Sequence, residues 1–211
     1  MIAYNGGGDR PELMTNESKL DAVIRRIDEA NAADPKTDTL DGVEGSKEQI
    51  YGKRMMAWVE RLNPEASEAL KIAARAQHIC RWEIPRSDYP EGKAGYYQWR
   101  TFLYGYHADK AGAIMTEVGY DEESVDAVRQ IMDKKNLRKN PDTQTLEDAA
   151  ALVFLENHIE EFSDRDDMDE PKLINVLQMT WGKMSEQGHA AALELVLPEH
   201  CAALVEKALK G

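Results

Sequence analysis

Two histidines carry the strongest chemical signal in this chain. His78 closes the run Ala73-Ala74-Arg75-Ala76-Gln77-His78-Ile79-Cys80-Arg81-Trp82, just before an arginine-rich stretch, and His107 lies in Tyr106-His107-Ala108-Asp109-Lys110-Ala111-Gly112-Ala113. Imidazole titrates near neutrality and serves as acid, base or metal ligand, so two of them beside guanidinium groups suit proton transfer next to a bound anion. Arg81 and Arg86 supply forked donors matched to phosphate or carboxylate, Lys135 is a compact cation, and Trp82 offers a face for a ring. Asn136, Glu147 and Asp148 complete the candidate walls. Each residue also has a structural reading: a histidine at a helix end is favoured by the dipole, Trp82 packs, and Glu147 and Asp148 are first-turn acids.

Charge sets the context. The chain has 211 residues and a formal net charge of −13, which argues against general nucleic-acid binding, where phosphates are held by Lys and Arg. Between 71 and 110, however, seven cations face four carboxylates, a local surplus of +3. A basic middle in an acidic chain suits a small anionic or phosphorylated ligand, and equally suits solvated helix faces. Two cysteines, Cys80 and Cys201, make no disulfide framework. With no export signal at the N-terminus and no apolar run long enough for a membrane span, a cytoplasmic protein is expected.

The elements that must position these side chains read as helices. Residues 1–15 are Gly-rich and aperiodic and are expected to be flexible, with one domain over 16–211. Leu20, Val23, Ile24 and Ile27 repeat at the spacing of one buried helix face. A polar loop follows to Gly45, and Ser46 with Gln49 predicts a capping box for a second helix carrying Ile50, Met55, Trp58 and Leu62. A third helix runs from about Pro64 to His78. After a proline-bearing loop a fourth spans roughly Ala94 to Val118 and is ended by Gly119. Asp121 caps a fifth, Thr145 a sixth over Leu146–Phe162, Pro171 opens a seventh and Pro198 a last. The expectation is an all-α domain of eight or nine helices without strands.

The order of these features resembles the HD (His-Asp) hydrolases over about residues 46–160: a basic first turn at Tyr51-Gly52-Lys53-Arg54, an Ala-rich helix ending in His78, and a helix with His107 before Lys-x-Gly-Ala. Leu146-Glu147-Asp148-Ala149 then follows. That resemblance implies one or two divalent metals activating water against phosphorus, with His78 and His107 as ligands or acid-base groups. Three ligand positions depart from the pattern: Tyr51 replaces the first His, Ile79 the Asp of the pair and Val153 the final Asp. Ile and Val cannot ligate and Tyr ligates poorly at neutral pH. The departures weigh against a stable metal site; were a metal held, His78 and His107 would be its remaining ligands.

The chain as a whole resembles the domain-of-unknown-function family DUF4202. The segments are Arg75-Ala76-Gln77-His78-Ile79, Arg81-Trp82-Glu83-Ile84-Pro85-Arg86, Lys134-Lys135-Asn136-Leu137, Thr145-Leu146-Glu147-Asp148, and Trp181-x-Lys183-Met184-Ser185 with Gly188-His189. This likeness implies a fold and no established activity. Two functions stay open: hydrolysis of a small phosphorylated metabolite or nucleotide, and a non-catalytic ligand-binding or regulatory domain that has lost the HD metal.

Overall fold

The computed structural model describes residues 17–134 and 136–210. Helix α1 (Lys19–Asn31) begins at Ser18, whose hydroxyl accepts from the Asp21 N–H, and buries Val23 and Ile27. The polar stretch after it, expected to be a loop, contains a hairpin. Strands β1 (Thr37–Leu40) and β2 (Val43–Ser46) pair antiparallel, Thr37 opposite Ser46 and Leu40 opposite Val43. Asp41 and Gly42 form the turn with φ of 52° and 78°, the left-handed geometry that two-residue hairpin turns require. Arg54 pins the hairpin to the next helix by donating to Asp38 Oδ2 at 2.6 Å and to the Thr39 carbonyl at 2.7 Å.

Helix α2 (Lys47–Leu62) starts where the sequence places it, but the capping box does not form: Ser46 makes no side-chain cap. The Asp34 carboxylate takes that role, accepting from the Glu48 N–H at 3.1 Å and the Lys36 N–H at 3.0 Å. A carboxylate at a helix N-terminus gains from the dipole as well as the hydrogen bond, which explains why it displaces the local serine. Helix α3 (Glu68–Ala76) is capped by Ser67 rather than opened by Pro64. It stops before His78, which therefore sits in the following turn.

Helix α4 (Gly92–Val118) ends at Gly119, left-handed at φ 96°, and α5 (Glu122–Met132) starts from Asp121, both as the sequence indicates. Helix α6 (Pro141–Asn157) begins a turn earlier than expected. Asn140 Oδ1 accepts from the N–H groups of Asp142 and Thr143, and Pro141 fills the first turn, where a missing N–H costs nothing. A break at His158 separates the short α7 (Ile159–Ser163). Then come α8 (Glu170–Trp181), α9 (Glu186–Leu193) and α10 (Glu199–Lys210). The all-α expectation holds, with ten α-helices among the described residues and one hairpin that was not foreseen.

The main core gathers Val23 and Ile27 of α1, Met55 and Val59 of α2, Leu70 and Ile72 of α3, and Leu146 and Leu152 of α6, all fully buried. Helix α2 packs against both α3 and α6, and α5 against α3 and α4. At Gly52 a Cβ would lie 2.6 Å from the Arg75 carbonyl oxygen, so only glycine lets α3 approach α2 this closely. A smaller cluster of Leu155, Ile159, Leu173, Leu177, Cys201 and Ala208 joins α8 and α10 to the end of α6. No helix among the described residues is long and apolar enough to cross a membrane.

Candidate functional site

The close approach of α2 and the end of α3 places Tyr51 flat against His78, ring centroids 3.9 Å apart and planes 10° from parallel. The imidazole is held at both nitrogens: Nδ1 lies 3.1 Å from Glu48 Oε2, and Nε2 lies 2.5 Å from Arg81 Nη1. A guanidinium can only donate, so Nε2 is the acceptor, Nδ1 carries the proton and His78 is neutral. Burial, followed by Arg81, Lys134 and Arg100, drives its pKa well below the ordinary imidazole value. Burial also raises the Glu48 carboxyl, with Arg81 opposing.

The turn that carries His78 is fixed from behind. Cys80 is left-handed at φ 53°, and its N–H donates to Asn31 Oδ1 at 3.0 Å. The Asn31 amide, 1% exposed, donates in turn to the Glu48 carbonyl at 3.4 Å. One buried side chain of α1 thus ties the His78 turn to the first turn of α2.

His107, 3% exposed on α4, faces His78 at 6.0 Å between centroids. Its Nδ1 lies 2.8 Å from the Ile79 carbonyl; since a carbonyl only accepts, Nδ1–H donates and Nε2 is left with a lone pair. That buried Nε2 has no hydrogen-bond partner among the described residues. Burial, and then His78, hold His107 down to about 3.

Around these rings stand Arg81, which the sequence reading singled out, and Arg100, Lys134 and Lys183, which it did not. Arg100 reaches the Tyr104 hydroxyl at 2.5 Å, and the Arg81 guanidinium lies over the Trp99 ring at 4.7 Å. Lys134, left-handed at φ 55°, bonds Glu147, which Lys183 also approaches at 3.7 Å. Burial opposes charge on Glu147, but Lys134, Lys183 and Arg100 outweigh it and keep the carboxyl below its ordinary value. The Tyr51 hydroxyl senses Arg81, Arg100, Glu48 and Glu147 together. Arg81, Arg100, Lys134 and the Glu48 carboxylate therefore act on the neutral imidazoles, and Glu147 ties Lys134 to Lys183.

The remaining candidates lie elsewhere in the bonding scheme. Arg86 is committed to its own loop, donating to the carbonyls of Tyr89, Pro90 and Gly92. Trp82 packs against the main core. Asn136 is exposed and left-handed at φ 57°, and its carbonyl accepts from the N–H groups of Lys139 and Asn140. Asp148, 3% exposed, anchors α9 by accepting from the Ser185 N–H at 2.8 Å and its hydroxyl at 2.5 Å. Lys135, like residues 1–15, lies outside the described residues.

The side chains present do not fit a divalent metal. Ile79 and Val153 are fully buried in the core, Tyr51 is stacked on His78, and both His78 nitrogens are engaged. Among the described residues no group of three His, Cys, Asp or Glu side chains is arranged to hold an ion.

Glu48 and Asn31 escaped the sequence reading because their partners His78 and Cys80 lie 30 and 49 residues away; Arg100 and Lys134 were not chosen as candidates, although Lys134 heads the Lys134-Lys135-Asn136-Leu137 segment. The model of the family described as Domain of unknown function (DUF4202) matches residues 21–205, a span that contains every residue of this cluster. The chain belongs to that family. No curated protein and no solved structure matches the DUF4202 chain.

Proposed function

We propose that this DUF4202 chain binds a small oxyanion, a phosphorylated or carboxylated metabolite, at Arg81, Arg100 and Lys134 without a metal ion. One observation carries the reading: Arg81 and Arg100 are half-buried, and among the described residues neither has a carboxylate within ion-pair distance, in a chain with a net charge of −13. Of the other sheltered arginines, Arg54 and Arg75 find carboxylates, Asp38 and Asp28, both at 2.6 Å, while Arg86 is taken up by loop carbonyls. Sheltered guanidinium groups left without a countercharge are a matched site for an anion.

The HD-like order of elements serves here as a frame for the anion, with His78 and His107 at its base. A second reading, hydrolysis of a small phosphorylated metabolite or nucleotide, is favoured by the partnerless His107 Nε2 and by the Glu48–His78 pair, which together could move a proton. A reducing, cytoplasmic setting agrees with two free, buried cysteines. The acidic balance argues against general nucleic-acid binding.

Titration calorimetry with inorganic phosphate tests the site. Binding by the wild type, weakened at least about tenfold in Arg81→Gln/Arg100→Gln, is expected from the loss of two charge-assisted contacts. A wild type that gives no heat with phosphate at high millimolar concentration refutes the anion site. Steady phosphate release from phosphorylated metabolites by the purified chain, lost in His107→Ala, would establish the second reading instead.

A further inference from the structure

Resting on that anion site, we propose that Arg81 is a gate: an arriving oxyanion draws its guanidinium off His78 Nε2 and leaves the freed nitrogen facing the ligand. Arg81 now rests on a neutral acceptor at 2.5 Å. That bond is already charge-assisted, but an oxyanion adds a full opposite charge to the acceptor in a sheltered site, where charge–charge attraction exceeds the attraction of a charge for a neutral ring, so an oxyanion outcompetes the imidazole. The guanidinium also lies over Trp99 at 4.7 Å, a face on which it can pivot while keeping its cation–π contact.

The imidazole does not follow. Tyr51 covers one face at 3.9 Å, and Glu48 holds Nδ1 at 3.1 Å, fixing the tautomer with its lone pair on Nε2. Movement of Arg81 therefore uncovers an oriented acceptor beside the anion, where a hydroxyl or water next to the phosphoryl or carboxyl group would donate to it. The groups facing His78 are Glu48 and Tyr51 from α2, Arg100 and His107 from α4, Lys134 after α5 and His158 after α6. Arg100 and Lys134 stay in place to receive the anion when Arg81 arrives.

A gate of this kind makes His78 a competitor of the ligand. His78→Phe keeps the ring against Tyr51 and removes the acceptor, so calorimetry with sulfate, which does not titrate near neutrality, should show tighter binding by about tenfold, the lower end for one hydrogen bond from a charged donor. Arg81→Gln should lose most binding. Unchanged or weaker sulfate binding by folded His78→Phe overturns the gate, because it would mean that His78 presents Arg81 to the anion. A second measurement needs no variant of the histidine: in 15N-histidine-labelled wild type, saturating sulfate should shift the His78 Nε2 resonance, and an unmoved resonance overturns the proposal. A wild type that fails to bind sulfate at all removes the anion site itself, a failure visible before any variant is made.

Discussion

Arg75 and Arg81 stand six residues apart at the end of one helix and the turn beyond it, yet they have opposite fates. Arg75 forms a closed pair with Asp28, Nε to Oδ1 at 2.7 Å and Nη2 to Oδ2 at 2.6 Å. Arg81 has an imidazole and an indole and, among the described residues, no carboxylate within ion-pair distance. The forked pair fixes both ends of the guanidinium and fastens α3 to α1. The other arrangement rests a guanidinium on two neutral rings, with the Glu48 carboxyl reached only across the imidazole. One arginine builds the fold and the other is held in reserve.

If that contrast is right, stability and binding should separate. The largest effect is expected at the closed pair. Arg75→Ala leaves Asp28, whose side chain is 21% exposed, without its partner, and should cost about 3 kcal/mol in urea denaturation. A loss below about 1 kcal/mol would show the pair to be no more than a surface contact.

Next comes pH. In the unfolded chain His107 takes up a proton near 6.5, whereas in the fold it stays neutral down to about 3. Between those values the unfolded state binds more protons, so stability falls as pH falls. From pH 6.5 to 5 this amounts to about 2 kcal/mol. His78, displaced in the same direction, adds to the loss, while Glu48, displaced upward, opposes it. Denaturation midpoints equal at pH 7 and pH 5 would mean that these histidines titrate normally in the fold.

The smallest stability effect belongs to the reserve arginine. Arg81→Gln should change folding free energy by less than about 1 kcal/mol while abolishing most anion binding. A destabilisation equal to that of Arg75→Ala would erase the distinction between the two.

Local chemistry was readable from the sequence. Asp121 and Gly119 mark their helix ends because cap and left-handed glycine act within a few residues, and the burial of Val23 and Ile27 follows from their spacing. The hairpin was missed because Thr37–Leu40 and Val43–Ser46 are largely polar and show no alternating apolar face; Asp41-Gly42 was the available signal. Ser46 misled because a carboxylate twelve residues earlier in the chain competes for the same helix end. At the site, His78, His107 and Arg81 stood out by type. Their partners Glu48 and Arg100 could not, because a half-buried partner 30 residues from His78 leaves no mark on local spacing. Asp148, a candidate wall residue together with Glu147, holds α9 through Ser185.

The Asn31 bridge bears on where this domain can be cut. Its amide joins the first turn of α2 to the His78 turn, while Asp28 holds Arg75 and Asp34 caps α2. All three lie before residue 46, ahead of α2. A fragment trimmed to 46–160 would retain both histidines and both unpaired arginines and would lose the three side chains that keep them in register. The smallest autonomous version of the site therefore starts with α1, and any expression fragment, chimera or transplanted motif that begins at α2 would carry the residues without their arrangement.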